Sequence, residues 1–126
     1  MEQILDYLKR KHEVLKQEKD PTGLCIGIAA EVAVILTRAK KNPDIMAIEE
    51  IVRDDGQIRR RRFKPTLYGG KIQWEGHEFC CYEGKAYDPL VGEPVPINDY
   101  CNIAFGEKLP MRVVISKEYV KQFLNG

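Results

Sequence analysis

The chain contains four cysteines and two histidines, the side chains best suited to nucleophilic and acid–base chemistry. Cys25 opens an apolar stretch that runs to Leu36 and is interrupted by a single charged residue, Glu31. A thiol in the first turn of a helix lies at the positive end of the helix dipole, which favours the thiolate. Free cysteines are also common as small buried apolar residues, so Cys25 alone leaves both interpretations open.

His77 and Asp88 flank a turn signal, Glu83-Gly84. If these two residues form the turn of a hairpin, Phe79 lies opposite Asp88. Alternate residues of a strand share a face, so His77 and Asp88 project together, with the carboxylate diagonal to the imidazole. A register slip of one residue would move Asp88 to the other face. The alternatives are a structural imidazole for His77 and a turn-capping carboxylate for Asp88.

Together, Cys25, His77 and Asp88 predict nucleophilic catalysis at a carbonyl group. The thiolate attacks, the imidazole activates it and later protonates the leaving amine, and the carboxylate fixes the imidazole tautomer. The intermediate is a thioester. A zinc site is disfavoured, because two of its four ligands would be consecutive in one strand and face opposite ways. That ligand set is His77, Cys80, Cys81 and Cys101, and neither a metal nor another cofactor is expected.

The elements that must position these residues follow from hydrophobic periodicity and turn signals. The predicted elements are helices at 2–17 and 24–40, strands at 72–82 and 85–88, a short helix at 97–104, a strand at 111–115 and a last helix after Ser116. The stretch 44–53 fits a helix or a strand. The second helix is apolar on nearly all sides, which predicts that it is the most buried element. This order predicts an α+β fold, with the Cys-bearing helix packed on a small antiparallel sheet and flanked by other helices.

Composition limits the class of protein. The chain has 126 residues and 44% hydrophobic residues, typical of one domain, residues 1–126, with its own core. A net charge of +1 gives no general reason to bind nucleic acid or membranes. The sequence shows neither a run of about 20 apolar residues nor a signal-peptide pattern. We therefore expect a cytoplasmic location, which is compatible with delivery into another cell as an effector.

The run from Arg59 to Lys64 concentrates positive charge in one segment. Such runs are usually solvated, so an exposed edge strand or loop is one interpretation. The other interpretation is a patch that binds an acidic partner.

Three motifs resemble, in their order along the chain, those of the papain-like cysteine hydrolases. They are Gly23-Leu24-Cys25, Gly76-His77 and the run from Gly84 to Pro89. More narrowly, they are similar to the compact papain-fold toxin domains of bacterial polymorphic toxin systems. In those domains a Cys-bearing helix is followed by a strand with His, a short turn and a strand ending in Asp. The resemblance covers about residues 22–105 and implies that Cys25 is the nucleophile, His77 the base and acid, and Asp88 the orienting carboxylate.

The resemblance implies a hydrolase or acyl transferase acting on an amide bond of a protein or peptide, such as a peptidase or glutamine deamidase. An inhibitor or immunity-type protein is a further expected partner. The alternative is a non-catalytic protein-binding domain on the same fold. Larger papain-like proteases carry a Gln oxyanion donor six residues before the Cys, where this sequence has Lys19. The backbone N–H of Cys25 is then one expected oxyanion donor. Thr22 and Trp74, the candidate substrate-binding residues, are the candidates for a second donor.

Overall fold

The computed structural model describes residues 2–18 and 24–125. Its elements are α1 (Glu2–Lys16), α2 (Cys25–Arg38), β1 (Asp44–Ile48), β2 (Ile51–Asp54), β3 (Gln57–Arg60), a short 3-10 helix (Thr66–Tyr68), β4 (His77–Tyr82), β5 (Lys85–Tyr87), β6 (Val95–Pro96), α3 (Ile97–Phe105), β7 (Met111–Ile115) and α4 (Lys117–Asn125). The described chain is an α+β structure, as the order of hydrophobic patterns predicts. No helix in these two described ranges has the length and apolar character needed to cross a membrane.

Five strands form one antiparallel sheet in the order β6-β5-β4-β1-β7, and β2 and β3 form a separate hairpin. The ambiguous stretch 44–53 therefore contributes two strands and no helix. β1 lies inside the sheet, between β4 and β7, and its side chains are buried on both faces, Ile45 on one side and Ile48 on the other.

The hairpin of β4 and β5 has the register that its turn chemistry predicts. Tyr82 pairs with Lys85, and Cys81 pairs with Ala86. The two turn residues, Glu83-Gly84, have φ values of 48° and 75°, the left-handed conformation that a two-residue turn of this kind requires. Asp88 follows β5 directly, so alternation along the strands places it on the face that bears His77.

Two hydrophobic cores lie on opposite faces of the sheet. The core below α1, α2 and α4 contains Leu8, Val32, Leu36, Ile45, Cys80 and Val120. The core below α3 contains Ile48, Phe79, Ala86, Tyr100 and Phe105. The body of α2 therefore packs on the face opposite to Phe79, and its first turn meets the start of β4, where His77 lies.

The prediction that α2 is the most buried element is wrong. Its buried residues are Ala29, Val32, Ala33 and Leu36, which lie on one side of the helix. On the other side Ile26 is 62% exposed. The helix is apolar nearly all round, but the sheet, α1 and α4 cover only part of its circumference, and the uncovered part lines a groove.

The predicted strand at 72–82 is shorter than expected, because β4 begins only at His77. His77 pairs with Ile48, the last residue of β1, so residues 72–76 have no neighbouring strand in this sheet. Trp74 instead forms an isolated bridge with Phe63, through two backbone hydrogen bonds of 2.8 and 2.9 Å. A second difference is β6, a two-residue edge strand in a segment expected to be a loop.

Candidate active site

Cys25 is the first residue of α2, and the N–H of Ile28 closes the first turn on the carbonyl of Leu24 at 3.0 Å. The N–H groups of such a first turn have no partner within the helix and favour negative charge. Burial raises the pKa of the half-buried Cys25 thiol, and the Glu78 carboxylate raises it slightly further. The neighbouring His77 and the backbone N–H of Glu78 lower this pKa by more. The net pKa lies below the ordinary value, so the site favours a thiolate.

His77 is the first residue of β4 and is only 4% exposed. Its Nε2 lies 2.7 Å from Oδ2 of Asp88. Its ring stacks on the indole of Trp74, with centroids 5.1 Å apart and an interplanar angle of 21°. Burial by itself lowers the pKa of His77, but the Asp88 carboxylate, helped by Cys25, raises it from 6.5 to about 9. The imidazole is therefore charged at neutral pH.

Asp88 is 3% exposed and uses both carboxylate oxygens. Oδ1 accepts a hydrogen bond from the N–H of Leu90 at 3.1 Å, which closes the turn that follows β5. Oδ2 accepts from Nε2–H of His77 and from the hydroxyl of Tyr100. The two interpretations of Asp88, as a turn cap and as a partner of His77, are therefore both correct, one for each oxygen.

Tyr100 is the residue of this cluster that the sequence did not single out. It lies on α3, its side chain is fully buried, and its hydroxyl donates to Asp88. Burial, followed by the charge and hydrogen bond of Asp88, raises its pKa well above the ordinary value, so it stays a donor. The sequence did contain one indication of its role, because a tyrosine on the buried face of a helix needs a hydrogen-bond partner for its hydroxyl. The identity of that partner depends on how α3 packs.

The hydrogen bond between Nε2 and Asp88 leaves Nδ1 of His77 as the ring atom available to Cys25. Among residues 2–18 and 24–125, Nδ1 has no hydrogen bond of standard geometry, although the thiol of Cys25 is close enough to change its charge state. Catalytic hydrogen bonds are often long in a free enzyme and shorten when substrate binds. Cys25, His77 and Asp88 also line one crevice of about 10 Å³, with Tyr68 and Trp74.

The other three cysteines have a different chemical environment. Burial raises the pKa of Cys80, of Cys81 and of Cys101. The thiol of Cys80 faces the carbonyl of Ala29 at 3.2 Å, inside the core below α2. In the part of the chain that the structure describes, no three His, Cys, Asp or Glu side chains are grouped so that they could hold a metal ion. Cys25 is thus the one thiol of the four with a lowered pKa.

Of the two candidate substrate-binding residues, Trp74 lies at the site. It is 8% exposed, it stacks on His77, and its Nε1 has no hydrogen-bond partner within the described ranges. Thr22 lies outside the described residues, as do Lys19 and Gly23.

The basic run lies largely in the β2–β3 hairpin and the segment after it, and its arginines are paired with carboxylates of the same chain. The ion pairs are Arg59–Asp54 at 3.0 Å, Arg60–Glu49 at 3.7 Å, Arg61–Glu50 at 3.4 Å, Arg61–Glu107 and Arg62–Glu75 at 3.4 Å. Exposed pairs of this kind add little stability, but they offset the positive charge. The arrangement favours the interpretation of this run as a solvated face.

Comparison of the chain with protein-family models, with curated proteins and with solved structures gives no match. The papain-like character of the motifs therefore stays a prediction. The function must be inferred from the geometry of Cys25, His77 and Asp88 and from the residues around them.

Proposed function

We propose that this protein is a cysteine-dependent hydrolase or acyl transferase that acts on an amide bond of a protein or peptide. The observation that supports this most directly is the placement of His77. Its Nε2 is held by Asp88 at 2.7 Å, while its Nδ1 faces the only thiol with a lowered pKa. A nucleophile, an acid–base group and an orienting carboxylate in this order are the parts of an acyl-transfer site.

The charge states fit this reaction. The pKa of Cys25 is lowered and that of His77 is raised to about 9, and both changes favour a thiolate beside an imidazolium. A larger fraction of the nucleophile is then ionised before substrate binds. Asp88 orients the imidazolium and stabilises its charge, and it does not need to take a proton.

In the first half of the reaction the Cys25 thiolate attacks the amide carbon, forming a C–S bond while the carbonyl electron pair moves to oxygen. The intermediate collapses, the C–N bond breaks, and the leaving amine takes the proton from Nδ1 of His77. In the second half neutral His77 removes a proton from water or an amine, which attacks the thioester and releases the thiolate. Peptide hydrolysis, glutamine deamidation and acyl transfer differ only in the leaving amine and the acceptor.

The finer assignment, a papain-like domain similar to bacterial toxin domains, is supported by the order of its parts. A helix begins at the Cys, a strand begins at the His, and the Asp follows the next strand of the same hairpin. These are the parts that the motif resemblance implies. We include in the proposal a peptide or protein substrate and an inhibitor or immunity-type protein partner.

The test uses the purified chain and a mixed peptide library, with Cys25→Ala and His77→Ala as controls. Mass spectrometry follows peptide cleavage, conversion of glutamine to glutamate and transfer to an added amine. Acid quenching preserves an acyl adduct on Cys25. We expect at least one product and an adduct at Cys25, both absent in the two variants. The proposal is wrong if wild-type protein forms no adduct and its Cys25 reacts with iodoacetamide no faster than in urea.

A second function, protein binding without catalysis, is favoured by a separate observation. An apolar groove of about 760 Å³ lies between α2, β7 and α4, and it is lined by residues that include Ile26, Ile115, Tyr119 and Phe123. Exposed apolar surfaces of this kind often mark protein interaction sites. An unreactive Cys25 together with a partner that loses affinity for the Phe123→Asp variant would establish binding as the function.

A further inference from the structure

The structure leaves buried polar atoms without partners mainly at one place. Within residues 2–18 and 24–125, four buried side-chain polar atoms have no hydrogen-bond partner, and three of them belong to Tyr68, Trp74 and His77. All three residues line the crevice that contains Cys25. Buried polar groups are normally paired, so a group of unpaired ones beside a nucleophile suggests that their partner is a ligand.

The chemistry of these atoms defines what they would bind. Nδ1 of His77 is already assigned to the thiol and the leaving amine. The indole Nε1–H of Trp74 is a donor only, and the phenol of Tyr68 remains protonated because burial, Asp88 and Glu18 raise its pKa to about 12. Two neutral donors without acceptors require an acceptor such as a carbonyl oxygen.

The size and arrangement of the crevice favour the same ligand atom. Its volume of about 10 Å³ is about that of one water-sized sphere, which suits a single oxygen atom. The rings of Tyr68 and Trp74 lie 6.3 Å apart at an angle of 62°, and the indole of Trp74 stacks directly on His77. The two donors and the acid–base group therefore belong to one aromatic cluster beside Cys25.

We propose that the indole N–H of Trp74 and the hydroxyl of Tyr68 are the side-chain donors of the oxyanion site of this protein, beside the backbone N–H of Cys25. This inference rests on the proposed acyl-transfer function. When the Cys25 thiolate attacks, the carbonyl electron pair moves to oxygen, and the two donors stabilise that oxygen until the pair returns and expels the amine. They would fill the role for which larger papain-like proteases use the Gln that Lys19 replaces here. Fixed donors aimed at a developing oxyanion are a major source of rate acceleration.

The test compares two reactions of Cys25 that differ in one respect. Alkylation by iodoacetamide forms an S–C bond as the C–I bond breaks, and no oxyanion develops. Acylation by p-nitrophenyl acetate adds the thiolate to a carbonyl, develops an oxyanion and releases p-nitrophenolate. Both rates are measured for wild type, Tyr68→Phe and Trp74→Phe, with Tyr82→Phe, at the end of β4 farthest from His77, as the control.

We expect Tyr68→Phe and Trp74→Phe to lower the acylation rate by at least about tenfold, and cleavage of an amide substrate by about 10²-fold, since removal of one oxyanion donor has effects of this size. Alkylation should stay at the wild-type rate in both variants, and Tyr82→Phe should match wild type in both reactions. If Trp74→Phe does not fold, 3-benzothienylalanine at position 74 keeps the bicyclic shape and has sulfur in place of the N–H.

An unchanged acylation rate in the variants would overturn the oxyanion role while leaving the proposed function in place. A parallel fall of acylation and alkylation would also overturn it, because the two residues would then act by positioning the thiol. If wild-type Cys25 shows neither acylation nor enhanced alkylation, the proposed function itself fails, and the oxyanion role fails with it.

Discussion

Replacing Asp88 by Asn removes a buried negative charge but keeps the shape of the side chain. In the wild-type protein its carboxylate accepts hydrogen bonds from His77, Tyr100 and Leu90. An amide can keep its oxygen toward His77, but its NH₂ group then faces the N–H of Leu90, and one buried donor loses its acceptor. We expect Asp88→Asn to fold, with its free energy of unfolding lowered by about 1–3 kcal/mol.

The larger effect is on the pKa of His77. Burial alone lowers this pKa, and it is mainly Asp88 that raises it from 6.5 to about 9. This difference corresponds to about 3 kcal/mol in favour of the imidazolium. Without the carboxylate we expect the pKa to fall below 6.5, so that the ring is neutral near pH 7 and Cys25 loses its ion-pair partner.

The expected loss of acylation rate for Asp88→Asn near neutral pH is about 10²-fold, since about 1.4 kcal/mol corresponds to a tenfold change. This is smaller than the roughly 10⁴-fold loss when the same substitution is made in a serine triad. The thiol already ionises more easily than a serine hydroxyl, so the third residue contributes less.

Two measurements check the magnitude and its cause. The rate of Cys25 acylation is followed against pH, and the imidazole pKa values are followed by NMR. The chain has two histidines, so a His12→Gln variant assigns both signals. In wild type the imidazolium persists up to about pH 9, so activity should fall as pH rises through that value. In Asp88→Asn this alkaline fall should move below pH 6.5. Asp99→Asn, which removes an exposed carboxylate from the first turn of α3, serves as the matched control.

An alkaline fall that stays near pH 9 in Asp88→Asn would show that the carboxylate does not control the imidazole. A pKa of His77 at or below 6.5 in the wild-type protein would show the same.

At neutral pH Cys25 should react with iodoacetamide faster than the three other cysteines, because only its thiol pKa is lowered; equal labelling of all four, located by mass spectrometry, would remove it from the role of nucleophile. Val32→Asp should abolish cooperative thermal unfolding, since Val32 is fully buried and an unpaired buried charge costs several kcal/mol, whereas Ile26→Asp on the exposed side of the same helix should unfold cooperatively. Tyr100→Phe should lower the free energy of unfolding by about 1–2 kcal/mol and raise the pKa of His77, because the hydroxyl competes with His77 for the same carboxylate oxygen of Asp88; a lowered pKa in the NMR titration would contradict this assignment.

Local chemistry was sufficient for the β4–β5 hairpin. The Glu83-Gly84 turn set the register, and the two-residue period of a strand then placed His77 and Asp88 on one face. Hydrophobic periodicity was sufficient for the four helices and for β7, whose bounds differ from expectation by at most a few residues. The hairpin register and the helix bounds depend on residues that are close in the sequence, so they can be predicted from the sequence.

Features that depend on a residue far away in the sequence could not be predicted from the sequence. The stretch 44–53 fitted two structures because its isoleucines suit either, and pairing with β4 and β7 decided for a strand in β1. Residues 72–76 have strand-forming side chains but lack a neighbour, because β1 ends opposite His77. The exposed side of α2 likewise reflects what α1 and α4 leave uncovered, and the apolar pattern of the helix contains no information about that.

The sequence by itself determined that a thiol stands where an apolar helix begins, and that an imidazole and a carboxylate share one face of a hairpin. Tertiary structure alone brought that helix start against the hairpin and placed Tyr68, Trp74 and Tyr100 around the three residues. The physical reason is the range of the interactions. Turn conformation and strand alternation act over a few residues, whereas the contacts between Cys25 and His77 form only after both cores have packed on the two faces of the sheet.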